Sequence, residues 1–596
     1  MSRARLAEQV ADLPVAAWLT GMVVFSVGFR FLLALWVPAP WLFADELKYS
    51  ELAKSFAATG HFAIRDVPGS GLGPVYPVLI APAYALFDNV QHAYVLAKAI
   101  NCVLMSLAAI PTYFLARRLL TKPWSLAAAA LALAVPSMVY TGTIMTENVF
   151  YPIFVTAALA IVRVLELPSA RRQLLALGLI ALAFLTRAQA VALLPALVTA
   201  IVWVSAVDAA GEPLRFRQLL RRLAHYLPTW IGLVGGLVAL SGWESVRGRS
   251  PLALFGEAQG LWHLHYSIQA VARWFLYHLA ELDLYVGVLP FAAFLILATF
   301  AFSRGDRALR IFAVTSLSVV FWLLLTVAVF ASSLSRYDSH AVSHVFDRYT
   351  FYLAPLLLIA LLAWVSQRLP GSARKATLAA VSAGALVLVL PFNDLIRNSS
   401  VPDTIAFLPW SRSPEGHVVA MPHVFVALIL VIGSLAGLFY QVRPPRLPLL
   451  APLLVLLIFI TVLSSAQRWY HGQGALASTG PDHAWIDHAI GSDAEAISIW
   501  SGRGPTYAFL EDEFFNRSVG RGYYLRQPVW AGLPEYKLVV SPKSGVLVDA
   551  AGSPVRARFA LVDPWVLLRG RVVARNRVTG MRLYRLNGQI ARISAQ

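Results

Sequence analysis

Asp45 and Glu46 stand side by side in Trp41-Leu-Phe-Ala-Asp-Glu-Leu-Lys-Tyr49, just beyond the first long apolar run of the chain. A carboxylate at a lipid–water boundary can take a proton from an incoming hydroxyl. The pair equally suits the first turn of a helix, where Asp caps well and acids oppose the helix dipole. Arg187 sits between two apolar runs in Leu185-Thr-Arg-Ala-Gln189. A cation so placed is costly, and it either meets an anion or snorkels to the interface. Glu147, beside Asn148, can orient a reacting group, bind a metal or stabilise a first turn. His340 and His344 have metal-ligand spacing on a helix, with Asp338 and Asp347 nearby; the plain alternative is a polar loop. Gly69, Gly71 and Gly73 form no nucleotide fingerprint, because no strand precedes them. The sequons at Asn398 and Asn516 occur at chance level.

The elements that must position these residues are membrane helices. Of 596 residues, 58% are hydrophobic and 13% charged, against about a quarter charged in soluble domains. At ~20 apolar residues per crossing, spans are predicted at 14–37, 90–116, 124–140, 147–165, 173–186, 189–207, 226–242, 284–302, 310–331, 349–366, 376–391, 420–440 and 448–466, about thirteen in all. The first run is too long for a signal-peptide core and is read as a retained helix. Cys102, the single cysteine, lies in an apolar run, so it forms no internal disulfide and reads as a small hydrophobe. The net charge of +18 does not point to nucleic acid, because Arg and Lys fall in short loops between apolar runs. Those loops are Arg117/Arg118/Lys122, Arg163/Arg171/Arg172, Arg215/Arg217/Arg221/Arg222, Arg304/Arg307/Arg310, Arg368/Arg374/Lys375 and Arg443/Arg446. They share one side if the N-terminus is cytoplasmic and the chain breaks near Arg187.

The other side then holds the long segments, including 38–89, 243–283, 332–348, 392–419 and everything after about 467. In the first loop, apolar residues from Glu46 to Ala58 recur with helical period, Gly60 suits a C-terminal cap, and 75–87 is a second short helix. Both are expected to lie along the membrane surface. Past 467 the pattern predicts helices at 483–490 and 507–516 and strands at 496–500, 537–541, 555–561, 571–575 and 581–585. The fold class is therefore a multi-pass α-helical membrane protein with an extracytoplasmic C-terminal α/β domain. The expected division is a membrane catalytic domain over 1–466 and a soluble domain over 467–596.

A first span, an Asp-Glu pair, Leu-x-Tyr, an amphipathic helix, a Gly-rich turn and Pro74-Val-Tyr-Pro77 together resemble the GT-C superfamily of membrane glycosyltransferases. The similarity is greatest to its protein mannosyltransferase and lipid A aminoarabinose transferase branch (family 39-like). Met145-Thr-Glu147-Asn-Val-Phe-Tyr-Pro152, Leu185-Thr-Arg187-Ala-Gln189 and Asp347-Arg348-Tyr349 match further, over roughly 10–360. The resemblance implies about thirteen spans, an external C-terminal domain and sugar transfer from a polyprenyl-phosphate donor to a glycan, lipid or protein acceptor on the outer face of a bacterial inner membrane. It casts Asp45 as general base, with Glu46 as alternate or orienting partner. A phosphate leaves readily, so such an inverting step chiefly needs one base. Arg187, Arg348 and Lys48 are candidates to bind the donor phosphate. Glu147, Tyr49, Tyr76 and His265 are candidates for acceptor or sugar contacts; His265, in Trp262-His-Leu-His265-Tyr, equally suits an interfacial aromatic belt. No metal is expected, since this branch largely works without one. Actinobacterial-looking composition suggests a cell-wall arabinosyl- or mannosyltransferase. The alternatives are a flippase or transporter of lipid-linked sugars, disfavoured by few charges within spans and no half-to-half symmetry, and a non-catalytic glycan-binding scaffold.

Overall fold

The computed structural model describes residues 13–41, 43–69, 73–209, 215–248, 250, 266–303, 305–337, 345–366, 373–392, 394–395, 403–412, 419–420, 450–503, 506–529, 532–541 and 544–591. Among these, six helices are long and apolar enough to cross a membrane, and nine if each bent pair is one span. The protein is a multi-pass helical membrane protein. The thirteen predicted spans are not reached. Ala373–Val387 and Ala354–Val365 are short helices, Ile268–Val286 and Leu289–Ser303 meet at a 112° bend, and the 420–440 span lies outside the described residues. The last helix runs from Leu450 to Thr479, past the expected end at 466.

The break near Arg187 is present. Helix Ala170–Thr186 stops there, Arg187 is extended, and a 3₁₀ turn from Ala188 to Ala192 restarts the chain. Gly73 packs against this break so closely that a Cβ would strike the carbonyl oxygens of Leu185 and Thr186. Among the described residues, three of the basic loops meet at one end. Arg118 pairs with Glu166 at 2.7 Å, Arg307 donates to the carbonyls of Leu165 and Glu166, and Lys122 donates to that of Leu13.

Charges inside the helices are more numerous than the sequence suggested, and three of them serve as staples. Lys98 Nζ caps the first span through Ala34 O (3.0 Å) and Val37 O (2.8 Å). Arg30 donates to Leu133 O, and Arg468 to Val139 O. Each satisfies a carbonyl that a helix end leaves open in lipid.

The first loop forms helices Phe43–Thr59 and Val75–Leu86. Gly60, at φ +72°, ends the first by donating its N–H to Phe56 O, as its place in the sequence predicted. The C-terminal residues form a six-stranded sheet in the order Arg571–Arg575, Arg582–Gln589, Arg556–Val562, Ala496–Trp500, Val519–Tyr524, Glu535–Lys537. The last four of these run parallel. Val519–Tyr524 escaped the sequence pattern because two of its six residues are glycine, which weakens a strand signal. Gly522 is needed for space, since a Cβ there would strike the guanidinium of Arg65.

That guanidinium locks the sheet domain onto the first loop. Arg65, held at φ +51°, is bidentate to Glu513 at 2.5 Å through both nitrogens and reaches Glu535 at 2.9 Å. All three are almost fully buried. Lys54 donates to Phe514 O, Arg517 donates to the carbonyls of Tyr84 and Phe87, and Phe509, Phe514 and Phe515 share one apolar core with Leu47, Leu52, Tyr76 and Tyr94. Removing one partner of a buried pair strands the other's charge, at about 3–5 kcal/mol. Arg65→Ala is therefore expected to lower the unfolding temperature of the purified protein and to open the 480–495 connection to protease. Unchanged melting and cleavage would show that the latch carries no stability.

Beside the latch, burial pushes the Asp512 carboxyl up to about 8, partly opposed by the Trp485 indole N–H at 2.9 Å and reinforced by Glu511. The folded state thus holds a proton that the unfolded chain releases near its ordinary value of about 4. Stability is expected to fall as pH rises between about 4 and about 8, by linkage. Asp512→Asn should flatten that slope in thermal melts of the purified protein; an equal slope in both proteins counts against this assignment.

Candidate active site

At the end of the bundle opposite the basic loops, four segments far apart in sequence converge. They are the start of helix Phe43–Thr59, the start of Glu147–Glu166, the break at Arg187, and the 3₁₀ turn Asp347–Tyr349. Glu147 is fully buried. Its Oε1 lies 2.6 Å from Arg187 Nη1 and 3.5 Å from Arg348 Nε. Arg187 is further held by Thr146 Oγ1 at 2.9 Å and Gln189 Oε1 at 2.7 Å. Arg348 reaches Asp403 at 3.0 Å and Asp45 Oδ2 at 3.1 Å. The two guanidiniums lie 4.8 and 5.0 Å from the centre of the Tyr349 ring, which keeps them apart without neutralising either. Two guanidiniums therefore meet three carboxylates, Glu147, Asp45 and Asp403, beside a partly open surface, and planar guanidiniums have the geometry that matches phosphate oxygens.

The two acids of the opening motif part company. Asp45 keeps 40% of its side chain exposed while it contacts Arg348, so an incoming group can reach it. Glu46 is fully buried. Its Oε1 accepts from Trp41 N (2.7 Å), and its Oε2 from Ile144 N (2.8 Å) and Tyr94 Oη (3.3 Å). Glu46 is thus turned away from the cleft and held by backbone N–H groups of two segments, while Asp45 faces the opening. Adjacent helical residues point about 100° apart, so one faces the cleft and the other the core.

The remaining candidates divide in the same way. Tyr49 lies beside Arg187, Asp45 and Glu147, hydrogen-bonds Thr146, and has its phenol pushed up, chiefly by burial. Tyr76 stacks edge-on against Tyr49 at 5.6 Å, but its hydroxyl is buried and donates to Asn101 at 3.0 Å. It supports the site from behind and offers an acceptor nothing. Lys48 is buried, with its Nζ 3.1 Å from where a Cβ on Gly532 would stand, so it faces the sheet domain, not the arginine pair. His265, His340 and His344 lie outside the described residues. Asp403 was missed by sequence, since it stands alone in a polar stretch and only the fold brings it to Arg348.

Residues 66–227 match the family described as dolichyl-phosphate-mannose-protein mannosyltransferase. No curated protein matches the chain by sequence. The crystal structure of ArnT from Cupriavidus metallidurans in the apo state is 15% identical, with a TM-score of 0.51 over 96% of this chain and 98% of that one. The same protein bound to undecaprenyl phosphate is 14% identical, with a TM-score of 0.53 over 95% and 98%. The chain has the GT-C fold. The resemblance read from the first-loop motif is borne out in the fold, a helical membrane part with a C-terminal sheet domain, and in the segment that the family model matches.

The contrast between the two acids is testable. Glu46→Ala removes the acceptor of two buried backbone N–H groups, at about 1–3 kcal/mol each, so it should lower stability measurably. Asp45→Asn should leave the melting temperature within a degree or two, since surface changes alter stability by only about 0.5 kcal/mol. Equal destabilisation by both substitutions would refute the division.

Proposed function

We propose that the protein is a glycosyltransferase that moves a sugar from a polyprenyl-phosphate donor to an acceptor on the outer face of a bacterial inner membrane. The observation that carries this reading is the meeting of a part-exposed carboxylate, Asp45, with two guanidiniums, Arg348 and Arg187. The N-terminus lies in the cytoplasm, and the sheet domain, following a membrane domain over 1–466, lies outside. Loop charge and the gathering of the basic loops at the far end of the bundle support this orientation.

In this reading the donor phosphate sits against Arg187 and Arg348, and the acceptor hydroxyl faces Asp45. The acceptor oxygen attacks C1 of the sugar from the side opposite the phosphate. The new C1–O bond forms as the C1–O–phosphate bond breaks, and configuration inverts. The hydroxyl proton passes to the Asp45 carboxylate, and polyprenyl phosphate leaves with one more negative charge than the donor carried. That growing charge is what the guanidiniums stabilise. Glu147 keeps both from collapsing onto Asp45, and Glu46 holds the helix that aims the base. ArnT has been crystallised with undecaprenyl phosphate, which supports a donor of this class. A transporter reading is weaker, because Arg30, Lys98 and Arg468 are tied to backbone carbonyls and do not line a path.

Asp45→Asn is expected to reduce transfer by at least ~10²-fold, as loss of a general base does, while radiolabelled polyprenyl-phosphate sugar still binds. Arg348→Gln should instead weaken donor binding along with rate, because it removes a charged phosphate contact. Wild-type turnover by purified Asp45→Asn protein would remove Asp45 as the base.

A further inference from the structure

Beyond the charged site, the outer sheet has an edge that its own topology marks for ligands. Ala496–Trp500 comes first in sequence among the four parallel strands and lies between Val519–Tyr524 and Arg556–Val562. The chain therefore leaves this strand in one direction and later returns on its other flank. At such a switch point the loops beyond the carboxyl ends diverge and leave a crevice.

The residues at this crevice are held for display. Buried Asp563 ties its two sides together, with Oδ2 accepting from Ser501 N at 2.5 Å and Oδ1 from Trp565 N at 2.9 Å. Trp565 is thereby left 54% exposed, with the Arg503 guanidinium 6.0 Å from its ring centre. Gly502, at φ +87°, allows the next loop to approach: a Cβ there would stand 2.9 Å from Arg526 Cβ. Arg503, Arg526 and Lys537, at the carboxyl ends of three adjacent parallel strands, are all exposed. The acid at this edge, Asp563, is turned inward onto backbone N–H groups, and Glu535, at the opposite end of its short strand, is turned onto Arg65 and Val529 N. An exposed indole among cations, with no exposed carboxylate among the described residues of these loops, fits an acidic saccharide. The sugar's C–H face packs on the ring, and its carboxylate or phosphate meets guanidinium.

This edge also points toward the membrane part. The segment following Val519–Tyr524 brings Gly532 over Lys48, one helical turn from Asp45. We propose that the carboxyl edge of the parallel strands is a subsite for an acidic oligosaccharide, the glycan portion of the acceptor. Its role in transfer rests on the glycosyltransferase reading; its binding does not.

The test uses the full chain in lipid nanodiscs, with hexagalacturonate as probe and maltohexaose as the neutral control. Wild type should bind the acidic hexamer at least about tenfold more tightly, a difference of about 1.4 kcal/mol. Trp565→Ala and Arg503→Gln should each weaken binding about tenfold, near the upper range of one stacked or charged contact. Trp565→Phe should keep most of it, and Asp45→Asn should bind as wild type does. Equal affinity for both hexamers, or wild-type binding by Trp565→Ala and Arg503→Gln, overturns the subsite. Binding lost while Asp45→Asn still abolishes transfer would defeat the subsite alone. Binding intact while Asp45→Asn transfers normally would defeat the base assignment alone.

Discussion

A buried carboxylate shared between two guanidiniums organises the end of the helical bundle where the candidate site lies. Glu147 is closed to solvent and contacts both Arg187 and Arg348. A lone charge at that depth would be untenable, so each element that brings one member commits the others to their places. The helix must break at Arg187 to turn its side chain inward. The Asp347–Tyr349 turn must meet the start of helix Glu147–Glu166. The first loop must fold back until Asp45 touches Arg348. Gly73 makes this last approach possible, because no side chain fits between it and the carbonyls at the break.

A second network holds the helix that carries Asp45 from the other side. Glu46 collects backbone N–H groups from Trp41 and Ile144, joining the end of the first span to the segment before Glu147. The Arg65 latch then ties the first loop to the outer sheet. Asp45 stands between two rigid anchors while its own side chain keeps partial exposure. Such an arrangement suits a group that exchanges a proton, because its neighbours do not reorganise when its charge changes.

The C-terminal sheet belongs to the same assembly of contacts. It shares an apolar core with the first loop, and its loops cover Lys48. An acceptor approaching from outside meets this sheet before it meets Asp45, which gives the domain a place in substrate selection under the transferase reading.

Much of this was legible in the sequence. Apolar runs and basic loops gave a multi-pass membrane protein, because lipid tolerates little else. The mismatch between basic loops demanded a break at Arg187, and the break is there. The strands 496–500 and 571–575 and the Gly60 cap followed from local pattern. Only the tertiary structure separated Asp45 from Glu46, because which face of a helix is buried depends on what packs against it. Asp403 and Trp565 likewise carried no local signal; distant chain segments placed them at an ion pair and at a sheet edge. The staples at Arg30, Lys98 and Arg468 were invisible for the same reason: a charge in a span reads only as a cost until the carbonyl it caps comes into view. Residue type and order determined which chemistry this chain carries, and long-range packing decided which atoms are free to perform it.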